Sequence, residues 1–240
     1  NESLTYVKLP ANLISISGAA FTKCSALTEI DVDSENERFS VVDGVLYRND
    51  TNVDSETYGR IKTLIIYPCG KGGKFTVPRS VETIGSYAFS YCFNLTEVDM
   101  YNNVTLINDG AFSYCWNLQR IRLSDNLTYL GKKALAYCES LKRIDLPSNL
   151  TNIGDDAVLG TIDSDNNKVY FFVDGISCKK ESYAYDYLIE QGCSKYCITN
   201  FGQDTFFLAY RNTNNEQIRE ILIKRDAISK SFPEQCAVKY

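Results

Sequence analysis

Ile107-Asn108-Asp109-Gly110-Ala111-Phe112-Ser113-Tyr114-Cys115-Trp116-Asn117-Leu118-Gln119-Arg120-Ile121-Arg122-Leu123 is one unit of a sequence that repeats itself between Val81 and Val158. Ala88, Ala111, Ala134 and Ala157 stand 23 residues apart, as do Cys92, Cys115 and Cys138, and Leu95, Leu118 and Leu141. Each Ala is followed by an apolar residue (Phe89, Phe112, Leu135, Val158), and five positions before that residue sits Ile84, Ile107, Leu130 or Ile153. A fixed period of this length implies stacked supersecondary units, because each unit buries its apolar face only against its neighbours.

Leu118, Ile121 and Leu123 suit a short strand with one buried face. Ile107 to Cys115 is too short for an ordinary helix but allows about two turns. Its Ala lets the backbone approach closely, and its Phe fills the space between layers. Pro10, Pro78 and Pro147 fall just after the strand, where a missing N–H does least harm. Stacking places the strands in a parallel sheet, ~4.8 Å apart.

Outward from the repeat, Leu13, Ile16, Ala20, Phe21, Cys24, Leu27, Ile30 and Val32 align with Val81, Ile84, Ala88, Phe89, Cys92, Leu95, Val98 and Met100. The offset is 68 rather than 23, which leaves 68 − 23 = 45 residues inserted. Inside them, Val41-Val42-Asp43-Gly44-Val45-Leu46-Tyr47 reads as a hairpin, since Asp-Gly readily supplies positive φ angles. The apolar run Leu64 to Tyr67, ended by Pro68, is a candidate partner strand. The insertion, about 33–77, is expected to be a β-island emerging from the stack. Gly70-Lys71-Gly72-Gly73-Lys74 lacks P-loop spacing and reads as a turn.

These residues resemble the BspA-like leucine-rich repeats. The family pattern of an Ile-Gly pair, then Ala-Phe, Cys, Leu, Ile and a strand ending near Pro is met by Ile84-Gly85, Ala88-Phe89, Cys92, Leu95, Val98 and Met100. It is met again by Ile153-Gly154 and Ala157. Tyr183 to Gly192 looks like the helix that often follows the family's last repeat. The resemblance covers roughly residues 4–198. It implies a secreted or surface-attached protein of a host-associated microbe, and several such proteins act in adhesion. The chain departs from the pattern at Tyr91, Tyr114 and Tyr137, where the family commonly has a small residue. The last unit runs into Asp163-Ser164-Asp165-Asn166-Asn167-Lys168, which faintly resembles a calcium loop. Lys168 stands where that loop needs Gly, so the segment reads as a solvated turn.

Beyond Thr199 the pattern ends. Thr205 to Tyr210 reads as a strand, and Thr213-Asn214-Asn215-Glu216 is a capping box that opens a helix carrying Ile218, Ile221 and Leu222 on one face. The element either covers the exposed last repeat or begins another domain. The fold expected is an α/β solenoid: a right-handed leucine-rich repeat stack with a parallel β-sheet on one face, a β-hairpin island after the first clear repeat, and a C-terminal capping element. Residues 1–198 form the repeat domain and 199–240 the cap or the start of a further domain.

Composition narrows the function. The 240 residues carry a formal net charge of −5 and no His. The charge argues against a general nucleic-acid binder. Absence of His removes Ser-His-Asp and Cys-His catalysis and every His-containing zinc site. No apolar run approaches the ~20 residues of a membrane-spanning helix. The chain begins with Asn and Met100 is its only Met, so it is expected to be a processed protein or an excised piece whose signal peptide or anchor lies outside it. Nine cysteines cannot all pair within the chain. Cys92, Cys115 and Cys138 read as buried thiols, while Cys178, Cys193, Cys197 and Cys236 leave a disulfide open. No metal or cofactor is expected.

Two surfaces are candidate binding sites. Register points Arg120 and Arg122 away from the core, in columns with Glu29, Glu97 and Arg143, and with Asp31, Asp99 and Asp145. Asp99, Arg122 and Asp145 are expected side by side on adjacent strands. These residues make either a mixed-charge binding face or cross-strand pairs that keep a sheet solvated. The second candidate is the column Tyr91, Tyr114 and Tyr137, with Phe93 and Trp116 beside it. It is either an aromatic row for a sugar ring or protein partner, or rings packed between layers with wet hydroxyls. The acceptor-like triplets at Asn94, Asn103, Asn126 and Asn149 are equally explained by turn chemistry. The expected function is a monomeric, non-catalytic, extracellular or cell-surface module for recognition and adhesion, binding a host protein or glycan. The alternative is a spacer within a larger surface protein.

Overall fold

The computed structural model describes residues 1–158, 161–162, 168–169, 175–179, 181–190, 197–199 and 205–208. Each coil begins with a strand on one wall. These are β1 (Tyr6–Leu9) and β2 (Glu29–Val32). The island follows with β3 (Phe39–Val42), β4 (Val45–Asn49) and β5 (Ile61–Ile66), and β6 (Gly73–Val77) returns to the first wall. First-wall and short second-wall strands then alternate: β7 (Thr83–Ile84), β8 (Leu95–Met100), β9 (Leu106–Ile107), β10 (Arg120–Arg122), β11 (Tyr129–Leu130), β12 (Arg143–Asp145) and β13 (Asn152–Ile153). After an antiparallel pair, β14 (Thr161–Ile162) and β15 (Lys168–Val169), come β16 (Gly175–Lys179), α1 (Tyr183–Glu190), β17 (Cys197–Thr199) and β18 (Thr205–Leu208).

The coil strands of the first wall pair in parallel, in three ladders: β1 with β2, β6–β8–β10, and β12 with β16. Ladder bonds do not join β10 to β12. On its other edge β12 is tied to β16, where the Leu146 N–H donates to the Ser177 carbonyl and the Ser177 hydroxyl donates to Asp145. The second wall is one seven-stranded sheet, β13-β11-β9-β7-β5-β4-β3.

The hairpin forms at the expected place. Val42 faces Val45 across Asp43 and Gly44, whose φ values are 50° and 74°, as the right-handed strand twist prefers. The island does not stand apart from the stack, however. β5 pairs antiparallel with β4 and parallel with β7, so the island extends the second wall. Residues 61–77, expected within the inserted island, run as a shortened coil. Leu64 sits beside Ile84, and the Tyr67 N–H donates to the Ala88 carbonyl as that of Phe89 does to Ala111. Leu64 joins the main core while Ile65 and Ile66 join the first-coil cluster with Leu27, Ile30 and Phe39. A continuous apolar run is what a strand covered on both faces requires.

The core is a column of repeated contacts. Phe89 and Phe112 are fully buried and stack at 4.6 Å with 14° between their planes, and Tyr67 continues the stack onto Phe89 at 5.0 Å. Tight turns, rather than helix, carry these rings. Backbone bonds between coils satisfy them: Phe89, Phe112 and Leu135 donate to the carbonyls of Ala111, Ala134 and Ala157. The column thiols point inward and donate to the Phe carbonyl of the preceding coil, Cys115 to Phe89 at 3.0 Å and Cys138 to Phe112 at 3.1 Å. The Gly that follows Leu130 and Ile153 is needed for close approach. A Cβ at Gly131 would lie 2.5 Å from the Asn108 carbonyl carbon, and one at Gly154 would collide with the Lys132 nitrogen.

At the far end, α1 buries Ala184, Tyr187 and Leu188 against the last coils, in the position expected for the helix after the repeats. β18 pairs antiparallel with β16 and β17. Cys178 is buried. The acidic stretch Asp163 to Asn167, Cys193, Cys236 and the capping box at Thr213 lie outside the described residues.

Candidate functional site: the charged wall and the aromatic flank

Period-two alternation on the first wall turns Val98, Ile121 and Ile144 into the core and leaves their neighbours outside. In register, Arg120 lies across from Glu97 and Arg122 across from Asp99. Arg122 pairs with Asp99 at 3.8 Å. Glu97, by contrast, pairs with Lys74 on its other neighbour, β6, at 2.9 Å. Asp145 is not held beside Arg122 by a ladder. It pairs within its own strand with Arg143 at 2.8 Å and accepts the Ser177 hydroxyl. Arg120 and Lys142 have no ion pair among the described residues.

The break between β10 and β12 opens a groove of about 590 Å³. The buried Ile121, Leu123 and Leu146 and the exposed Arg120, Lys142, Asp125 and Asp145 are among the residues that line it. Glu29 and Asp31 belong to the separate β1–β2 ladder, where the Tyr6 hydroxyl donates to Asp31 at 3.2 Å.

The aromatic column forms as a ladder. Tyr91 and Tyr114 stack at 4.6 Å and 7°, and Tyr114 and Tyr137 at 4.4 Å and 9°. Phe93 and Trp116 stack beside them at 4.6 Å and 26°, and Tyr91 meets Phe93 edge-on at 5.9 Å. Lys23, from the same column of the first coil, places its ammonium 4.7 Å from the Tyr91 ring centre. The ring spacing matches the spacing of the coils, so the Tyr faces cover one another and edges and hydroxyls face outward. Burial, then the neighbouring Tyr137 and Tyr91 hydroxyls, push the Tyr114 phenol up from its ordinary value. All four column residues hold left-handed backbone, with φ of 63°, 63°, 61° and 62° at Lys23, Tyr91, Tyr114 and Tyr137. That conformation costs ~1–2 kcal/mol per non-glycine residue, and ring pairs worth ~0.5–1.5 kcal/mol each offset much of it. A sugar ring needs an open aromatic face, and of these residues Trp116, 45% exposed, offers the most surface.

The Asn triplets serve the turns. Asn126 and Asn149 donate their side-chain amides to the Asn102 and Asp125 carbonyls at 2.7 and 2.8 Å, and Asn94 donates to Gly70 at 3.3 Å. Lys71 of the Gly-rich segment donates to the Asp43 carbonyl, bracing the hairpin. Lys74 on β6, Lys142 just before β12 and Asp125 in the turn after β10 are residues that the sequence reading passed over. Pro78 marked the end of β6 as Pro10 and Pro147 mark the ends of β1 and β12, so Lys74 was within reach of the same pattern.

No helix of the described residues is long and apolar enough to cross a membrane. The chain matches the BspA type leucine rich repeat region in six copies, over residues 1–42 and 60–176. No curated protein matches it. Among solved structures it is similar to a leucine rich cell surface protein from Faecalibacterium prausnitzii, with 36% identity and a TM-score of 0.56 over 65% of this chain and 39% of that one. It is also similar to the pneumococcal vaccine antigen PcpA, with 26% identity and a TM-score of 0.58 over 65% of this chain and 36% of that one. A leucine-rich repeat protein from Eubacterium ventriosum gives 29% identity and a TM-score of 0.52 over 63% of this chain and 42% of that one. The chain therefore spans about two fifths of the length of each of these proteins.

Proposed function

We propose that this chain, which belongs to the BspA type leucine-rich repeat family, is a non-catalytic recognition module working outside the cell or at its surface. It holds a host protein or glycan through the exposed wall of the repeats and acts as a monomer. The observation that carries this reading is the uncompensated charge at the groove. Lys74, Glu97, Arg122, Asp99, Arg143 and Asp145 have ion pairs within the wall, whereas Arg120 and Lys142 have none among the described residues. A charge left unpaired beside apolar side chains gains most from a partner that brings the opposite sign. The likeness to a cell surface protein supports the location.

The paired remainder of the wall and the mutually stacked Tyr column favour a second reading, a rigid spacer in a larger surface protein. A screen of the purified chain against host matrix proteins and a glycan array separates the two. A hit lost in the Arg120→Glu/Lys142→Glu double variant supports recognition through the wall. No hit in either library supports the spacer.

A further inference from the structure

Resting on the recognition reading, we infer that the groove between β10 and β12 takes an extended polypeptide segment in which carboxylate side chains flank an aliphatic one. The charges point first to an acidic group. Arg120 on β10 and Lys142 just before β12 both line the groove, and neither is neutralised among the described residues. Arg122 is shared only loosely, with Asp99 at 3.8 Å. The chain as a whole is acidic, at −5, so this local excess of positive charge is not a property of the general surface.

The lining then discriminates among anions. Asp125 is part of it too and has no ion pair among the described residues, so it repels a uniform polyanion such as a sulfated glycan or nucleic acid, whose charges repeat at every unit. A polypeptide can alternate, setting carboxylates against Arg120 and Lys142 and an N–H or hydroxyl donor against Asp125. The apolar part of the lining agrees with this, since Ile121, Leu123 and Leu146 are aliphatic and none of the aromatic column lines the groove. Sugar sites draw instead on open ring faces. β10 and β12 lie side by side although no ladder joins them, so the segment lies across the wall and is held by side chains rather than by strand edges.

The test uses the whole chain and a fluorescein-labelled peptide carrying Glu-Leu-Glu in a Gly/Ser frame, read by fluorescence polarisation at low and high salt. Probes for comparison are the Gln-Leu-Gln peptide and a heparin oligosaccharide. Variants are Arg120→Glu/Lys142→Glu, and Lys132→Glu on the other wall, with circular dichroism confirming the fold. The expected result is saturable binding of the Glu peptide, weakened about tenfold or more by the double variant and by salt, and unaffected by Lys132→Glu. Equal binding of the Gln peptide, or heparin binding tighter than the Glu peptide through the same two residues, overturns the peptide assignment. If the screen finds a ligand indifferent to the double variant, the groove is wrong and recognition stands. If the screen and the peptide both give nothing, both readings fall.

Discussion

Arg120 lies directly across from Glu97 in the parallel register of β10 and β8, yet the Glu97 carboxylate pairs with Lys74 of β6, 2.9 Å away. One carboxylate faces a cation on each side, and its choice leaves Arg120 available at the groove. Removing Lys74 should return Glu97 to Arg120. We predict that Lys74→Ala barely moves the unfolding midpoint, since an exposed pair is worth under about 1 kcal/mol. It should also weaken binding of the Glu-Leu-Glu peptide about threefold. Unchanged peptide affinity would show that Glu97 does not compete for Arg120.

Phe112 is fully buried and stacked on Phe89. Phe112→Ala should destabilise the coil by ~3–5 kcal/mol, the range for deleting a buried aromatic ring. Urea denaturation measures it, and a midpoint and slope equal to those of the parent would remove Phe112 from the core.

Tyr114 offers a test of backbone strain, because its φ is 61°. Both Tyr114→Gly and Tyr114→Ala lose the ring stack, but only Gly occupies left-handed backbone without steric cost. The Gly variant should therefore be the more stable of the two by ~1 kcal/mol, the reverse of their order in ordinary helix or strand. If Ala equals or exceeds Gly in thermal unfolding, the column is not held in this conformation.

Gly131 tests the spacing between coils. A Cβ there would lie 2.5 Å from both the Asn108 carbonyl carbon and the Asp109 nitrogen, and backbone cannot turn aside as a side-chain tip can. Gly131→Ala should cost ~1–3 kcal/mol, while the exposed neighbour change Lys132→Ala stays within ~0.5 kcal/mol. Comparable melting temperatures for the two variants would contradict the close approach.

The thiol column makes stability depend on alkaline pH. Burial pushes Cys92 and Cys115 well above the ordinary value of 9.0 and pushes Cys138 up to about 12. Unfolded thiols ionise near the ordinary value, so the folded state holds its protons more tightly and the unfolded state gains as pH rises. The contribution is complete below about pH 9 and is lost as pH climbs through about 12. Urea midpoints taken at rising pH should fall in the parent and fall less steeply in Cys115→Ala. Parallel curves would mean the thiol is not responsible.

How far the sequence could be read depended on whether a feature repeats. The 23-residue columns of Ala, Cys and Leu identified the coil before any contact was known, and Asp43-Gly44 located the hairpin. Residues 61–77 were hidden because that coil is shorter than the period and places Tyr67 where later coils have Phe. With no fixed spacing to follow, Leu64-Ile65-Ile66 looked like an island strand rather than the wall between two clusters. The Tyr column was legible as a column, but not as a self-covering stack, since nothing in residue spacing says which way a ring turns.

By itself, then, the sequence determined the architecture, because burying one apolar face per unit has few solutions and identical units must use the same one. It also determined which side chains leave the first wall, because a strand alternates its faces strictly. Tertiary structure alone decided which of two flanking cations Glu97 takes, whether the neighbours β10 and β12 form a ladder, and hence that a groove exists. Each of these is a choice between neighbours of similar energy, settled by distances of a few ångströms that the linear pattern does not encode.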